Sequence, residues 1–516
     1  MQTKYDTILI LDFGGQYCHL IGRRVREQGV YSEIVPHDIT PEEVRKIGEK
    51  FNVKGLILSG GPASVYEPNA PQINFAILEL RLPVLGLCYG HQLIAQMVKG
   101  KVKPAECREY GFAEVVIDKP VGVLKGMKPK EVVWMSHGDT VFELPAEFET
   151  LAHTESCPVA AYRHKTRAIY GLQWHPEVVH TKNGTQMLRN FIFDVCCCEA
   201  NWKMEDLIGK MVNEIRTEVG NSTAIIGLSG GIDSSVATAL AARALGDKLT
   251  AVFVDHGFMR EGEPEAISRT FQKFGINFVV ADAQKRFMEK LKGVVDPEKK
   301  RKVIGKEFIR VFEEVAEKSG AQYLIQGTIY PDRIESGFRK NSDVIKSHHN
   351  VAGLPSKIKF KKIVEPLRDL YKDEVRKVAL MLGLPKEIVN RQPFPGPGLA
   401  VRIIGELDEE KVKVAKKTDA IVREEIEKAG LEKKLWQYFT VLTDTKATGV
   451  KGDSRAYGYV VAVRAAESQE AMTANFAQIP YPVLEKISTR ITNEVPEVTR
   501  VVYDVTHKPP ATIEWE

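Results

Sequence analysis

Three short stretches of the chain hold the residue types of thiol chemistry in a spacing that suits it. Pro83-Val84-Leu85-Gly86-Leu87 reads as a strand and runs into Cys88-Tyr89-Gly90-His91-Gln92, which sets Cys88 in a G-x-C-x-G frame. The same frame with serine is a nucleophile elbow, a sharp strand-to-helix turn at which a Cβ on either glycine would clash. The helix N-terminus that follows favours a thiolate. A thiolate nucleophile needs a base, and the base needs a group to orient it. In Gln173-Trp174-His175-Pro176-Glu177, His175 can take the thiol proton and Glu177 can fix the imidazole tautomer. Acyl transfer also needs donors for an oxyanion. Ser59-Gly60-Gly61-Pro62 offers loop N–H groups, Gly60 among them, and Tyr89 N–H follows the nucleophile directly. Each motif alone is as often a packed cysteine or a plain turn. All three in this order point to acyl transfer at Cys88.

A second constellation suits phosphate. The strand Thr223 to Leu228 leads into Ser229-Gly230-Gly231-Ile232-Asp233-Ser234-Ser235 and then a helix. Glycines let the backbone approach an anion, and the helix start adds N–H groups and positive potential. Asp233 would repel phosphate unless a cation lay between them, so it is a candidate Mg2+ ligand. No G-x-x-x-x-G-K-[ST] sequence occurs, which argues against γ-phosphoryl transfer. The next strand ends at Val254-Asp255-His256-Gly257, and the carboxyl end of such a strand is where a nucleotide lies. Downstream, Asp332 and Glu335 are candidate metal or lid carboxylates. Lys346, His348 and His349 suit a polyphosphate or an anionic leaving group. A solvated loop is the ordinary reading of either group taken alone.

These elements need more than one domain, and 516 residues supply two or three. Strand-like and helical segments alternate twice, which implies two doubly wound α/β domains. The first closes with an amphipathic helix over Met187 to Val195, before the Cys196-Cys197-Cys198 run. Adjacent cysteines lack chelating separation, so this run reads as packing and not as a metal site. The second domain ends at the breaker cluster Pro393-Phe394-Pro395-Gly396. Strand patterns at Tyr457 to Arg464 and Arg500 to Asp504 then surround a helical Tyr481 to Glu494, a small α+β unit. The expected domains are residues 1–198, 199–396 and 397–516. With 72 basic against 68 acidic residues, a general nucleic-acid binder is disfavoured. Seven cysteines, no apolar signal core and no membrane-length apolar run suggest a reduced, cytoplasmic protein without membrane segments.

On the motifs around Cys88, His175 and Gly60, residues 7–195 resemble the class I glutamine amidotransferases. That implies a glutamyl thioester at Cys88 and release of ammonia. Within that class, Trp134-Met135-Ser136-His137-Gly138-Asp139 looks like the GMP synthetase variety. The Ser229 to Ser235 loop is similar to that of the N-type ATP pyrophosphatases, which split ATP between its α- and β-phosphates; the resemblance puts Val254 at the adenine. Gln326 to Ser336, Lys346 to Gly353, Pro393 to Arg402 and Lys508 to Glu516 look like the GMP synthetases, so the resemblance spans essentially the whole chain. It implies that xanthosine monophosphate (XMP), ATP and glutamine are the small-molecule partners. It also implies an adenyl-XMP intermediate, a lid over ATP around Arg333 to His349, and a homodimer formed through the C-terminal unit. Arg301, Asp453, Gln478, Lys508 and Glu514 would contact XMP. Gly15, Gln392 and Ala456 depart from the pattern, where Ser, His and Thr are usual. Two other readings stay open. One is a glutamine-fed ATP pyrophosphatase of the NAD or CTP type, which the Lys508 to Glu516 tail disfavours. The other is a nucleotide-sensing protein on an inactive scaffold, which the intact Cys88, His175, Glu177 and Asp233 disfavour.

Overall fold

The computed structural model describes residues 4–338, 360–468 and 473–516. The chain divides into two compact units, Met1–Lys203 and Met204–Glu516.

The first unit is built on a nine-stranded sheet. Its strands are β1 (Asp6–Asp12), β2 (Tyr31–Pro36), β3 (Asn52–Leu58), β4 (Val84–Leu87), β5 (Lys101–Ile117), β6 (Lys130–Glu143), β7 (Phe148–His153), β8 (Ala161–His164) and β9 (Ile169–Leu172). They stand in the order β2-β1-β3-β4-β9-β8-β7-β5-β6. Pairings from β2 through β9 are parallel, and those from β9 through β6 are antiparallel. Ile8 to Leu11 and Val84 to Leu87 are buried without interruption, as expected of parallel strands covered on both faces. The antiparallel half is absent from the sequence reading. Its β6 alternates exposed Val132 with buried Val133, and Trp134 to Asp139 lies within it. The helix expected at Met187 to Val195 is an α-helix over Gly184–Arg189 that continues as a π-helix over Asn190–Val195.

The second unit holds two sheets. β10 (Ala224–Gly227), β11 (Leu249–Asp255), β12 (Asn277–Asp282), β13 (Tyr323–Ile325) and β14 (Lys362–Val364) form a parallel sheet in the order β12-β11-β10-β13-β14. The order reverses at β10, so the carboxyl end of β10 is a topological switch point. β15 (Gln437–Lys451) and β17 (Asn475–Phe476) run antiparallel to β16 (Ser454–Glu467), and β18 (Val498–Tyr503) runs parallel to it. The helices Glu409–Lys428 and Tyr481–Glu494 accompany this sheet. A single core joins Ile225 and Val252 of the parallel sheet to Ile403, Val422, Val461 and Ile487.

Candidate active sites

In the first unit, β4 ends at Cys88, the N-cap of the helix Tyr89–Met97, with φ 50° and ψ −103°. Few L-residues adopt such a backbone, and it turns the thiol out of the strand line. The flanking glycines are obligatory. A Cβ on Gly86 would lie 2.4 Å from the Gly90 carbonyl, and one on Gly90 would lie 2.5 Å from the Leu58 carbonyl. Backbone cannot yield as a side chain can, so Gly90→Ala is expected to destabilise this unit by about 1–3 kcal/mol. Thermal melts read that loss. The Ser59 to Pro62 loop approaches the same point: a Cβ on Gly60 would sit 3.7 Å from Cys88 Cβ and 3.1 Å from His175 Cε1. Tyr89 N–H opens the helix and has no acceptor within it.

His175 and Glu177 are buried, and their Nδ1 and Oε1 atoms lie 2.7 Å apart. The Cys88 thiol is within hydrogen-bonding reach of the imidazole. Burial opposes charge on His175, but the Glu177 carboxylate and Cys88 outweigh it and raise the pKa well above the ordinary 6.5. A raised pKa stabilises the fold fully below about pH 6.5, and that contribution is lost as pH rises through the folded value. Melting temperature should therefore fall with rising pH on the alkaline side of neutrality. Glu177→Gln should flatten that slope in melts recorded from about pH 6 to about pH 9.

Behind Cys88 lies a polar network that the sequence reading did not anticipate beyond His137. The Cys88 thiol faces the Ser136 carbonyl at 3.6 Å. His137 Nδ1 donates to the Asp139 carbonyl at 2.9 Å, and its Nε2 lies 2.9 Å from Glu109. Gln92 donates to the same Asp139 carbonyl at 2.8 Å. Burial opposes the Glu109 charge, yet His137, Ser156 and Thr154 hold its carboxyl below the usual range. Glu109 and His137 are cross-strand partners on β5 and β6. His91 is fully buried, and burial pushes its pKa down to about 3, which makes it a packed neutral ring.

In the second unit, β10 runs into the Ser229 to Ser235 loop, and Gly231 is the N-cap of the helix Ile232–Leu245. Gly230 has φ 74°. Serine hydroxyls brace the turn. Ser229 Oγ lies 3.0 Å from Ser234 Oγ and accepts the Gly231 N–H at 3.3 Å, while Ser234 Oγ donates to the Gly231 carbonyl at 3.0 Å. The N–H groups of Ile232, Asp233 and Ser234 stand in the first turn without helical acceptors, a ready anion cradle. Two cations missed from the sequence join it: Lys372 donates to Asp233 Oδ2, and Arg391 to the Gly230 carbonyl. Asp233 Oδ1 is buried with no partner. One free hard oxygen beside an anion cradle fits Mg2+, which takes most of its ligands from phosphates and water. Among the described residues, no group of three or more His, Cys, Asp or Glu could hold a metal ion without such help. Val254 is buried in β11, and the β10–β11 ladder ends at Gly227↔Val252.

The remaining candidates separate. Asp332 accepts the Ile329 N–H at 3.2 Å at the start of the helix Tyr330–Phe338. Lys346, His348 and His349 lie outside the described residues, as does the side chain of Glu335. Arg301 donates to the Glu516 carbonyl at 2.5 Å, and Arg402 and Gln437 hold Glu514. Lys508 exchanges backbone hydrogen bonds with Ala474, and exposed Gln478 follows Ala477, which donates to the Ala465 carbonyl. These four gather at the end of the sheet where Gln437 pairs with Ala466. Within one chain Asp453 does not join them. It forms the turn beyond the Lys451↔Ser454 pair at the opposite end of β15 and β16, on the order of 40 Å away along the strand. Of the three departures from the resemblance, Gln392 clasps the Tyr438 backbone from both sides, at 2.8 and 3.2 Å. A Cβ on Gly15 would lie 2.3 Å from the Gly60 carbonyl, so a larger residue there requires the Ser59 to Pro62 loop to move.

Comparison with known proteins separates the readings left open by sequence. Residues 9–195 match the family model for class I glutamine amidotransferase, residues 203–316 that for NAD synthase, and residues 424–515 that for the GMP synthase C terminal domain. The middle match could belong to an NAD-type enzyme, but the C-terminal one could not. The chain is 54% identical over 515 residues to a glutamine-hydrolysing GMP synthase of Caldicellulosiruptor saccharolyticus, covering 99% of this chain and 100% of the relative. It is 53% identical over 518 residues to one from Caldanaerobacter subterraneus, covering 100% of both. Against one from Geobacillus kaustophilus it is 53% identical over 513 residues, covering 99% of both. With similarity of this depth along its whole length, the chain belongs to the glutamine-hydrolysing GMP synthases.

Proposed function

We propose that the two strand-to-helix turns divide the family reaction between them: glutamine hydrolysis at Cys88, and activation of XMP by ATP at Ser229 to Ser235. Cys88 attacks the glutamine carboxamide carbon, and His175 returns a proton to the departing ammonia. The N–H groups of Gly60 and Tyr89 receive the oxyanion. Water then hydrolyses the thioester and releases glutamate. In the second unit the N–H groups of Ile232 to Ser234 hold the polyphosphate, and the adenine lies against the main chain at Val254. Asp233 would hold Mg2+, which when bound would supply positive charge to offset that of the polyphosphate. The XMP O2 attacks the α-phosphorus and pyrophosphate leaves. Ammonia then attacks C2 and expels AMP together with the former O2, giving GMP.

Arg301, Gln478, Lys508 and Glu514 form the XMP end of this site, with cations for the 5′-phosphate. Asp453 reaches such a site only from a second chain, so the reading includes a homodimer in which the β15–β16 turn of one copy meets the nucleotide of the other. It also includes a cytoplasmic location, in keeping with seven unpaired cysteines. The observation that carries the proposal is the contrast between the turns: one presents a thiol to a buried imidazole, the other presents helix N–H groups beside Asp233. Incubation with XMP, Mg-ATP and glutamine, followed by chromatography, should yield GMP, AMP and pyrophosphate in equal amounts. ADP and orthophosphate in their place would overturn it.

A further inference from the structure

A run of alternating charges crosses the interior of the second unit from the Ser229 to Ser235 loop to the C-terminal tail. Arg391 donates to the Gly230 carbonyl and, at 2.7 Å, to Glu263. Glu263 accepts the Arg260 backbone N–H at 3.2 Å and lies 3.5 Å from its guanidinium. Arg260 Nε stands 3.5 Å from one oxygen of Asp419, and Arg402 Nη1 stands 3.6 Å from the other. Arg402 closes the run with two hydrogen bonds to Glu514, at 2.8 and 3.0 Å. Three cations alternate with three anions, and the Phe394 ring lies 4.3, 5.2 and 5.6 Å from the guanidinium carbons of Arg260, Arg402 and Arg391.

Stability does not account for this arrangement. Arg402 is 0% and Asp419 1% exposed. Apolar side chains of similar volume commonly serve a core as well as or better than buried ion pairs. Geometry is the better account. The terminal contacts are short, whereas Asp419 sits between two guanidiniums at distances longer than the roughly 2.8 Å of a good charge-assisted hydrogen bond. The helix Glu409–Lys428 carries Asp419, so a small shift of it changes both contacts at once. Each terminus of the run is itself a contact of a proposed ligand site: Gly230 in the ATP loop and Glu514 at the XMP end.

We infer that Asp419 is a positioning residue that couples XMP occupancy at the tail to the placement of the ATP loop, through Arg402 and Glu514 on one side and Arg260, Glu263 and Arg391 on the other. The inference rests on the proposed placement of the two nucleotides. Its test measures XMP binding to the full chain by calorimetry, with and without Mg2+ and α,β-methylene-ATP, which cannot be cleaved between the α- and β-phosphates. In the unaltered protein the ATP analogue should tighten XMP binding by about fivefold or more. Asp419→Asn should reduce that factor to less than about twofold while XMP alone still binds. Glu263→Gln, on a partly exposed residue, should do the same from the loop side, and it decides the matter if Asp419→Asn does not fold. Full coupling in the folded variants, or none in the unaltered protein, overturns the inference. If the unaltered protein binds neither nucleotide, the placement of the sites has failed, and the coupling falls with it.

Discussion

Replacing Cys88 with alanine should abolish glutamine-driven GMP formation, by about 10⁴-fold or more, and leave ammonium-driven synthesis near its original rate. Two buried thiols of the same unit are poor substitutes. Burial pushes the Cys18 thiol well above its ordinary range, and it pushes Cys157 up to about 12, so neither supplies a thiolate at neutral pH. The backbone at position 88 keeps the same strained conformation with alanine, since the strain resides in φ and not in sulfur. The altered protein should therefore melt close to the parent temperature. The second unit has its own core and contains the whole loop around Asp233, which is why an external nitrogen source should suffice. Parallel assays with glutamine and with ammonium check the split. Equal losses with both would place Cys88 in a structural role.

Asp233→Asn should produce the complementary loss, about 10²- to 10³-fold with either nitrogen source. The amide keeps the size of the carboxylate and removes its charge, both as a Mg2+ ligand and as the partner of Lys372. Lys372 then faces the polyphosphate unpaired, which favours ground-state binding of ATP. The expected signature is a fall in kcat with little change in KM for ATP, together with a higher Mg2+ requirement. Hydrolysis of glutamine at Cys88 should persist, because that site lies wholly in the other unit. A large rise in KM at constant kcat would instead make Asp233 a binding residue only.

Both turns were legible because their chemistry is local. Glycines next to Cys88, and serines with glycines before the helix Ile232–Leu245, specify a backbone within a few residues. The parallel strands were legible because burial on both faces demands unbroken apolar runs. What escaped depends on distant pairing. Lys372 meets Asp233 across 139 positions, and Arg391 meets Gly230 across 161. Glu109 becomes the partner of His137 only once β5 and β6 pair in register, and the sequence of β6 hides its alternation, because exposed Val132 and buried Val133 are both apolar. Asp453 is the converse case within one chain. Resemblance groups it with Lys508 and Glu514, and the register of one long hairpin sends it to the opposite end. In the Cys196 to Cys198 run, Cys196 and Cys198 are buried, whereas Cys197 is exposed at φ 52°.

The most direct test of the account follows one oxygen atom. XMP labelled with ¹⁸O at O2 is turned over with Mg-ATP and glutamine, and the masses of AMP and pyrophosphate are read. If XMP O2 attacks the α-phosphorus and ammonia later expels AMP, each GMP formed leaves one ¹⁸O in AMP and none in pyrophosphate. Label in pyrophosphate or orthophosphate, or AMP free of label while GMP accumulates, would contradict the assignment of adenylyl transfer to the Ser229 to Ser235 loop.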